Sequence, residues 1–231
     1  MRIPLPVSTV SSTDIGNSTY IPRSGLDFLE RIPSIHIEQT FELYDMSTAV
    51  SENRYTIRAP SGDAIYAASE SSRPKHRLFL GAGRPFGMHL LDKTHQEALT
   101  LIRKMPCGLF CLPFVGERLE IWAPPGDFLG CIKEIFSVLS TEFVVENGNQ
   151  DKLFRISGPA LNFCTPKELH FKVLSYDSLT QKGSITRKWN TDISTYTMNI
   201  YYSDPNMDPK VKALFIGSAF LLVYLYYIYY I

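Results

Sequence analysis

The sequence predicts an all-β protein whose strands form a closed antiparallel barrel, followed by one hydrophobic C-terminal helix. Three observations carry this. Alternating apolar and polar runs come in pairs joined by tight-turn residues; no long amphipathic helix interrupts them; and the one helix-length apolar segment is the last, VKALFIGSAFLLVYLYYIYYI.

Residues 1–24 are rich in Ser, Thr and Pro without a period and read as a flexible arm. From Gly25, GLDFLERIPSIHIEQTFEL opens with a short helical pattern at Leu26 and Leu29. Pro33 breaks it, and strand alternation follows through Ile35, Ile37, Gln39, Phe41 and Leu43. Hairpins then recur over 55–70, 87–103, 119–136, 143–158 and 169–189. PSGD and APPGD have tight-turn chemistry, and Asn147-Gly148 is the strongest short hairpin signal. Successive hairpins make a meander. About ten such strands leave edges open unless the sheet closes, which favours a barrel over a two-sheet sandwich. Asp204-Pro205 and Asp208-Pro209 read as turns that end the last strand and start a helix at Pro209. The organisation is an arm over 1–24, a barrel over 25–210 and a hydrophobic helix over 211–231.

Lysine plus arginine and aspartate plus glutamate each number 23, so no global field draws the chain to nucleic acid, and no nucleic-acid partner is expected. MRIPLPVSTV lacks a signal-peptide core and Arg2 follows Met1, which predicts a cytosolic start without N-myristoylation. Cys107, Cys111, Cys131 and Cys164 suit reduced thiols better than a disulfide framework or a zinc site. The five histidines (His36, His76, His89, His95, His170) are scattered, and G-x-S-x-G, P-loop and H-E-x-x-H motifs are absent, so no bond chemistry is expected.

The order of the stretches NRYTIRAPSGDAIYAASE, GRPFGMHLLDKTHQEALTL, LEIWAPPGDFLGCI, KLFRISGP, FKVLS, GSITRKW and KVKALFIGSAFLL resembles the phospholipid scramblase family, which is related to the tubby-like fold. The resemblance implies a twelve-stranded barrel whose C-terminal helix either threads the interior or crosses a membrane. It also implies calcium-stimulated, ATP-independent, bidirectional movement of phospholipid between leaflets of the plasma membrane.

Several site residues follow from the resemblance. The calcium segment falls on TDISTYTMNIYYSDPNMDPKVK, with Asp192 as the first acidic ligand, Ser194 where a second aspartate is expected, Tyr196 and Met198 between, and Asp204 folding back to help. Calcium needs six to eight oxygens, so this set is depleted; the alternative is that Asp204 and Asp208 are only turn residues. Cys107 and Cys111, in PCGLFCLPF, are the remnant of a palmitoylated cluster, or else small core residues at a strand end. Arg187 and Lys188 in GSITRKW match a nuclear-import stretch, although a strand ending at Trp189 suits them better.

For the tail, Ala213 to Ile231 is uncharged and about 28 Å long as a helix, close to the hydrocarbon thickness. Lys210 and Lys212 flank it, and the tyrosines near its end resemble an interfacial belt. Their hydroxyls are costly to bury without partners. The expectation is a terminal membrane anchor that includes Ala213, Gly217, Phe220, Tyr224, Tyr227 and Tyr230, giving a single-pass type II protein of the plasma membrane with a cytosolic barrel. One uncharged span offers no polar groove for a headgroup. Scrambling therefore calls for a homo-oligomer through the small-residue pair Ala213 and Gly217 with Ser218. The alternatives are a non-catalytic, tail-anchored lipid-binding or adaptor barrel, and a soluble barrel with the tail wrapped inside.

Overall fold

A computed structural model describes residues 25–40, 52–80, 83–104, 116–135, 140–160, 168–190 and 195–225. The strands are β1 (Ser34–Thr40), β2 (Arg54–Arg58), β3 (Ala64–Ser71), β4 (Phe86–Asp92), β5 (Glu97–Arg103), β6 (Arg118–Ala123), β7 (Asp127–Ile135), β8 (Ser140–Asn147), β9 (Lys152–Ala160), β10 (Glu168–Ser175), β11 (Gln181–Asn190) and β12 (Thr195–Tyr202). A 3-10 turn at Gly25–Leu29 precedes them. A short helix α1 (Pro74–Leu80) joins β3 to β4, and a long helix α2 (Pro209–Leu225) follows β12.

Every strand pairs antiparallel with its sequence neighbour, and β1 pairs with β12, so the sheet is a closed up-and-down barrel. Each expected hairpin is present, as β2–β3, β4–β5, β6–β7, β8–β9 and β10–β11. The sequence reading did not anticipate α1. Closure satisfies both edges of the sheet, which the meander alone would leave open. Gly130 in β7 holds φ at +152°, and a Cβ there would stand 2.1 Å from the Glu146 carbonyl oxygen, so the close β7–β8 crossing requires glycine.

Barrel diameter grows with strand number, and twelve strands enclose more space than their own side chains fill. Helix α2 occupies that space. Its residues Lys212–Tyr224 are buried against inward side chains such as Ile37, Ile57, Leu101, Ile121, Phe171 and Ile200. Phe215 meets Phe154 and Tyr202, each at 5.3 Å between ring centroids, and Phe220 meets Tyr55 at 5.1 Å, all edge-on. A helix apolar on every side belongs either in a membrane or in a core. This one is the core.

The strand registers divide the connections between two ends of the barrel. At the hairpin end lie the turns 59–63, 93–96, 124–126, 148–151 and 176–180, the 3-10 turn, and the start of α2. At the loop end lie α1, the C-terminus of α2, and the strand ends that flank residues 41–51, 105–115, 136–139, 161–167 and 191–194.

Candidate functional site

A helix that fills a barrel has two ends where polar groups meet the apolar lumen, and each end here is closed by a specific polar cluster. At the hairpin end Lys212 is fully buried. Its ammonium donates to the carbonyls of Leu29 at 2.9 Å, Ile32 at 2.9 Å and Pro205 at 2.7 Å, which uses all three of its protons. The charge also lies 5.2 Å from the centre of the Tyr202 ring. Burial holds this lysine below its ordinary pKa, opposed by the charge of Asp204.

The 3-10 turn supplies the first of those carbonyls and is itself clasped to the barrel. Tyr66 Oη donates to the Gly25 carbonyl at 2.7 Å, and Gly25 N–H donates to Asp92 Oδ2 at 2.7 Å.

At the loop end Glu70 is buried on the inner face of β3. Arg84 grips it in a two-pronged ion pair, Nε to Oε1 at 2.6 Å and Nη2 to Oε2 at 2.7 Å. Ser72 Oγ donates to Oε1 at 2.6 Å, Asn53 Nδ2 donates to Oε2 at 2.9 Å, and Tyr224 Oη from α2 donates to Oε2 at 2.7 Å. The Tyr224 ring stacks on Phe86 at 4.1 Å and lies 5.1 Å from the Arg84 guanidinium. Burial pulls the Glu70 carboxyl upward, but its hydrogen bond and charge pairing with Arg84, with the Ser72 and Tyr224 hydroxyls, outweigh it and hold the group below its ordinary value. Burial pushes the Tyr224 phenol well up, so it stays a donor.

These two clusters correct the expected membrane anchor. Ala213, Gly217, Phe220 and Tyr224 all face the barrel interior, and among the described residues no helix is long and apolar enough to cross a membrane. The type II arrangement through this helix is therefore not the one in the structure. The hydroxyl objection fails at Tyr224 because its Oη donates to Glu70 Oε2 and accepts from Asn53 Nδ2; Tyr227 and Tyr230 lie outside the described residues. The small-residue face is also taken: a Cβ at Gly217 would stand 2.5 Å from Ile121 Cδ1, so Gly217 lets α2 press on β6 rather than on a second copy.

Among the described residues, the expected calcium ligands Tyr196, Met198 and Asp204 do not converge. Asp192 and Ser194 lie outside the described residues. Tyr196 and Met198 alternate inward on β12 and are buried in the lumen, because a strand turns every second side chain to the same face. Asp204 lies past the other end of β12, whose eight residues span roughly 26 Å, and its Oδ1 accepts the Asn206 N–H at 2.8 Å as a turn residue. Asp208 Oδ1 likewise accepts the Lys210 N–H at 2.7 Å and caps α2. No group of three or more His, Cys, Asp or Glu side chains placed to hold a metal occurs among the described residues.

The import-like pair lies on β11, as the strand reading expects. Arg187 is buried, its guanidinium 4.1 Å from the Tyr196 ring centre, and only Lys188 is exposed. Cys107 and Cys111 lie outside the described residues, between strand ends at Arg103 and Arg118 that both belong to the loop end. Cys131 is buried, and burial raises its thiol pKa, so it is a structural thiol.

The described residues form a closed twelve-stranded barrel filled by its own C-terminal helix, with a polar cluster at each end. The family model described as Scramblase matches residues 15–228, and the chain belongs to that family. It is 28% identical to human phospholipid scramblase 4 over 235 residues, 98% of this chain and 71% of the relative. It is 30% identical to human phospholipid scramblase 2 over 208 residues, covering 88% and 70%. Human phospholipid scramblase family member 5 is 27% identical over 232 residues, covering 98% and 83%. Against human phospholipid scramblase 1 the chain covers 65% of the relative's length. No solved structure matches the chain.

Proposed function

We infer that this protein moves phospholipids between membrane leaflets without bond chemistry, and that it does so from the bilayer surface. The observation that carries the activity is the family match across nearly the whole chain. The filled lumen shapes the mechanism. Because Lys212–Tyr224 occupy the barrel axis, a headgroup has no path through the barrel, and the lipid must pass beside the protein or after α2 has left its place. The loop end is the side we assign to the bilayer. There the chain continues past Leu225 into YYIYYI, and there the strand ends bracket Cys107 and Cys111, whose acylation would add a second hold on the membrane.

Association through α2 would require the helix to leave the barrel and expose Gly217. A calcium response would have to rest on Asp192 and residues outside the described ones, since Tyr196, Met198 and Asp204 do not fit an ion shell. Calorimetric titration tests this, and absence of heat at millimolar calcium removes calcium from the reading. Palmitate labelling sensitive to hydroxylamine, lost in the Cys107→Ala/Cys111→Ala variant, tests acylation.

The packed lumen also favours a second reading, a lipid-binding adaptor barrel with no transport. Purified protein in liposomes with fluorescent lipid separates the two. Dithionite that bleaches both leaflets supports scrambling; bleaching of the outer leaflet alone, with and without calcium, supports the adaptor.

A further inference from the structure

Helix α1 is inside out. Of its polar residues, Arg77 donates inward to the Ser72 carbonyl at 2.5 Å and to Glu52 Oε1 at 2.9 Å, while its large apolar residues face water. Leu78, Phe79 and Leu80 are 64%, 79% and 39% exposed, and no residue of the helix is buried. Elsewhere among the described residues no two exposed large apolar side chains are adjacent in sequence; Tyr176 and Leu179 share one turn, and Ile135 and Tyr201 are single. A soluble surface has no use for three adjacent ones on a seven-residue helix, since an ordinary surface helix turns such residues to the core.

The charges around the patch select its partner. Arg73 and Lys75 are exposed, and no aspartate or glutamate occurs between Glu70 and Asp92, so the segment carries an apolar tip on a cationic collar. Among the described residues, the acidic side chain paired with α1 is Glu52, through Arg77. Arg84, at the other end of the connection, is turned inward onto Glu70 and anchors the segment instead of extending the collar. Apolar side chains that enter the acyl boundary while flanking cations meet headgroup phosphates are the requirements of an anionic bilayer surface. We propose that α1 is a membrane-docking wedge, in which Leu78 and Phe79 insert into a leaflet containing anionic phospholipid and Arg73 and Lys75 bind its headgroups. This rests on the assignment of the loop end to the bilayer and names the element that makes the contact.

The test uses the full chain with Phe79→Trp as reporter, read against the wild-type emission of Trp122 and Trp189, and vesicles of phosphatidylcholine alone or mixed with phosphatidylserine. The expected result is a blue shift and quenching by brominated lipid at position 79 on the mixed vesicles only. Leu78→Ala/Phe79→Ala should weaken co-sedimentation by at least roughly tenfold. Arg73→Glu/Lys75→Glu should remove the preference for phosphatidylserine and the salt dependence. Because all four side chains are exposed, the unfolding midpoint should stay where it is, which excludes misfolding as the cause.

Vesicle binding that leaves position 79 unshifted overturns the wedge but keeps the membrane assignment. Absence of vesicle binding overturns both. A blue shift without lipid, or a dimer in sedimentation that Phe79→Ala abolishes, shows the face covered by the chain itself or by a second copy and also overturns the proposal. Dithionite bleaching on the same vesicles reports on lipid transport independently of these outcomes.

Discussion

At the hairpin end α2 is held by an ammonium on three neutral carbonyls, and at the loop end by a phenol on a carboxylate that an arginine already compensates. The first cluster spends a whole charge against backbone dipoles supplied by short connections. The second uses a balanced ion pair built by side chains of β3, α2 and the residues around them. A charge whose hydrogen bonds all go to backbone carbonyls tolerates no loss of its cage, whereas a paired carboxylate can release one neutral partner and stay solvated by the rest. The hairpin end is thereby a fixed seat for α2, and the loop end is the end from which the helix can be loosened.

The largest effect should come from Glu70→Ala, which removes the buried carboxylate that grips the Arg84 guanidinium with two hydrogen bonds; about 4 kcal/mol of stability should be lost in urea unfolding. Lys212→Met should cost about 3 kcal/mol at the other end, because the Leu29, Ile32 and Pro205 carbonyls lose their shared donor. If Lys212→Met proves neutral, the carbonyl cage is not what seats α2.

Gly217→Val should cost about 2 kcal/mol through overpacking on Ile121 and Leu119, and Ile121→Val in the same chain should recover part of it. Tyr224→Phe removes one donor from a carboxylate that keeps the others, and should cost about 1.5 kcal/mol while raising hydrogen exchange at the loop end of α2 more than at its start.

The two ends should also answer pH in different windows. Glu70 titrates lower in the folded chain than its ordinary 4.5, so its contribution is complete above that value and is lost as pH falls through and below it. Lys212 sits below its ordinary 10.5, so the unfolded chain binds the extra proton and stability rises as pH climbs towards 10.5. In Glu70→Gln the acid limb should flatten and the alkaline rise should remain.

The barrel was legible in the sequence because period-two alternation and turn chemistry are local, and closure follows from the need to satisfy two edges. Helix α1 was missed because PKHRLFL carries no amphipathic period pointing to the core. The location of α2 was misjudged for a physical reason: an apolar helix reads alike in lipid and in a lumen, and the feature that decides lies on another strand. Period two from Tyr66 and Ala68 does place Glu70 on the inner face of β3, and a carboxylate aimed at the core signals a buried partner. The lysine cage left no such trace, since its carbonyls come from backbone in two distant segments, 29–32 and 205. Inward-facing Tyr196 and Met198 could have been read from the alternation of TYTMNIYY, which marks a strand and not a ligand loop.

The position of α2 in chain order has a kinetic consequence. The barrel closes through β1 and β12, and the helix that fills it follows every strand, so the first and last parts of the chain must both be present before any apolar lumen is sealed. Folding during synthesis can form hairpins but not the core, and the nascent wall waits with its inner face uncovered. Whatever shields that face in the interval, a chaperone or a membrane surface, meets this chain before its own helix does.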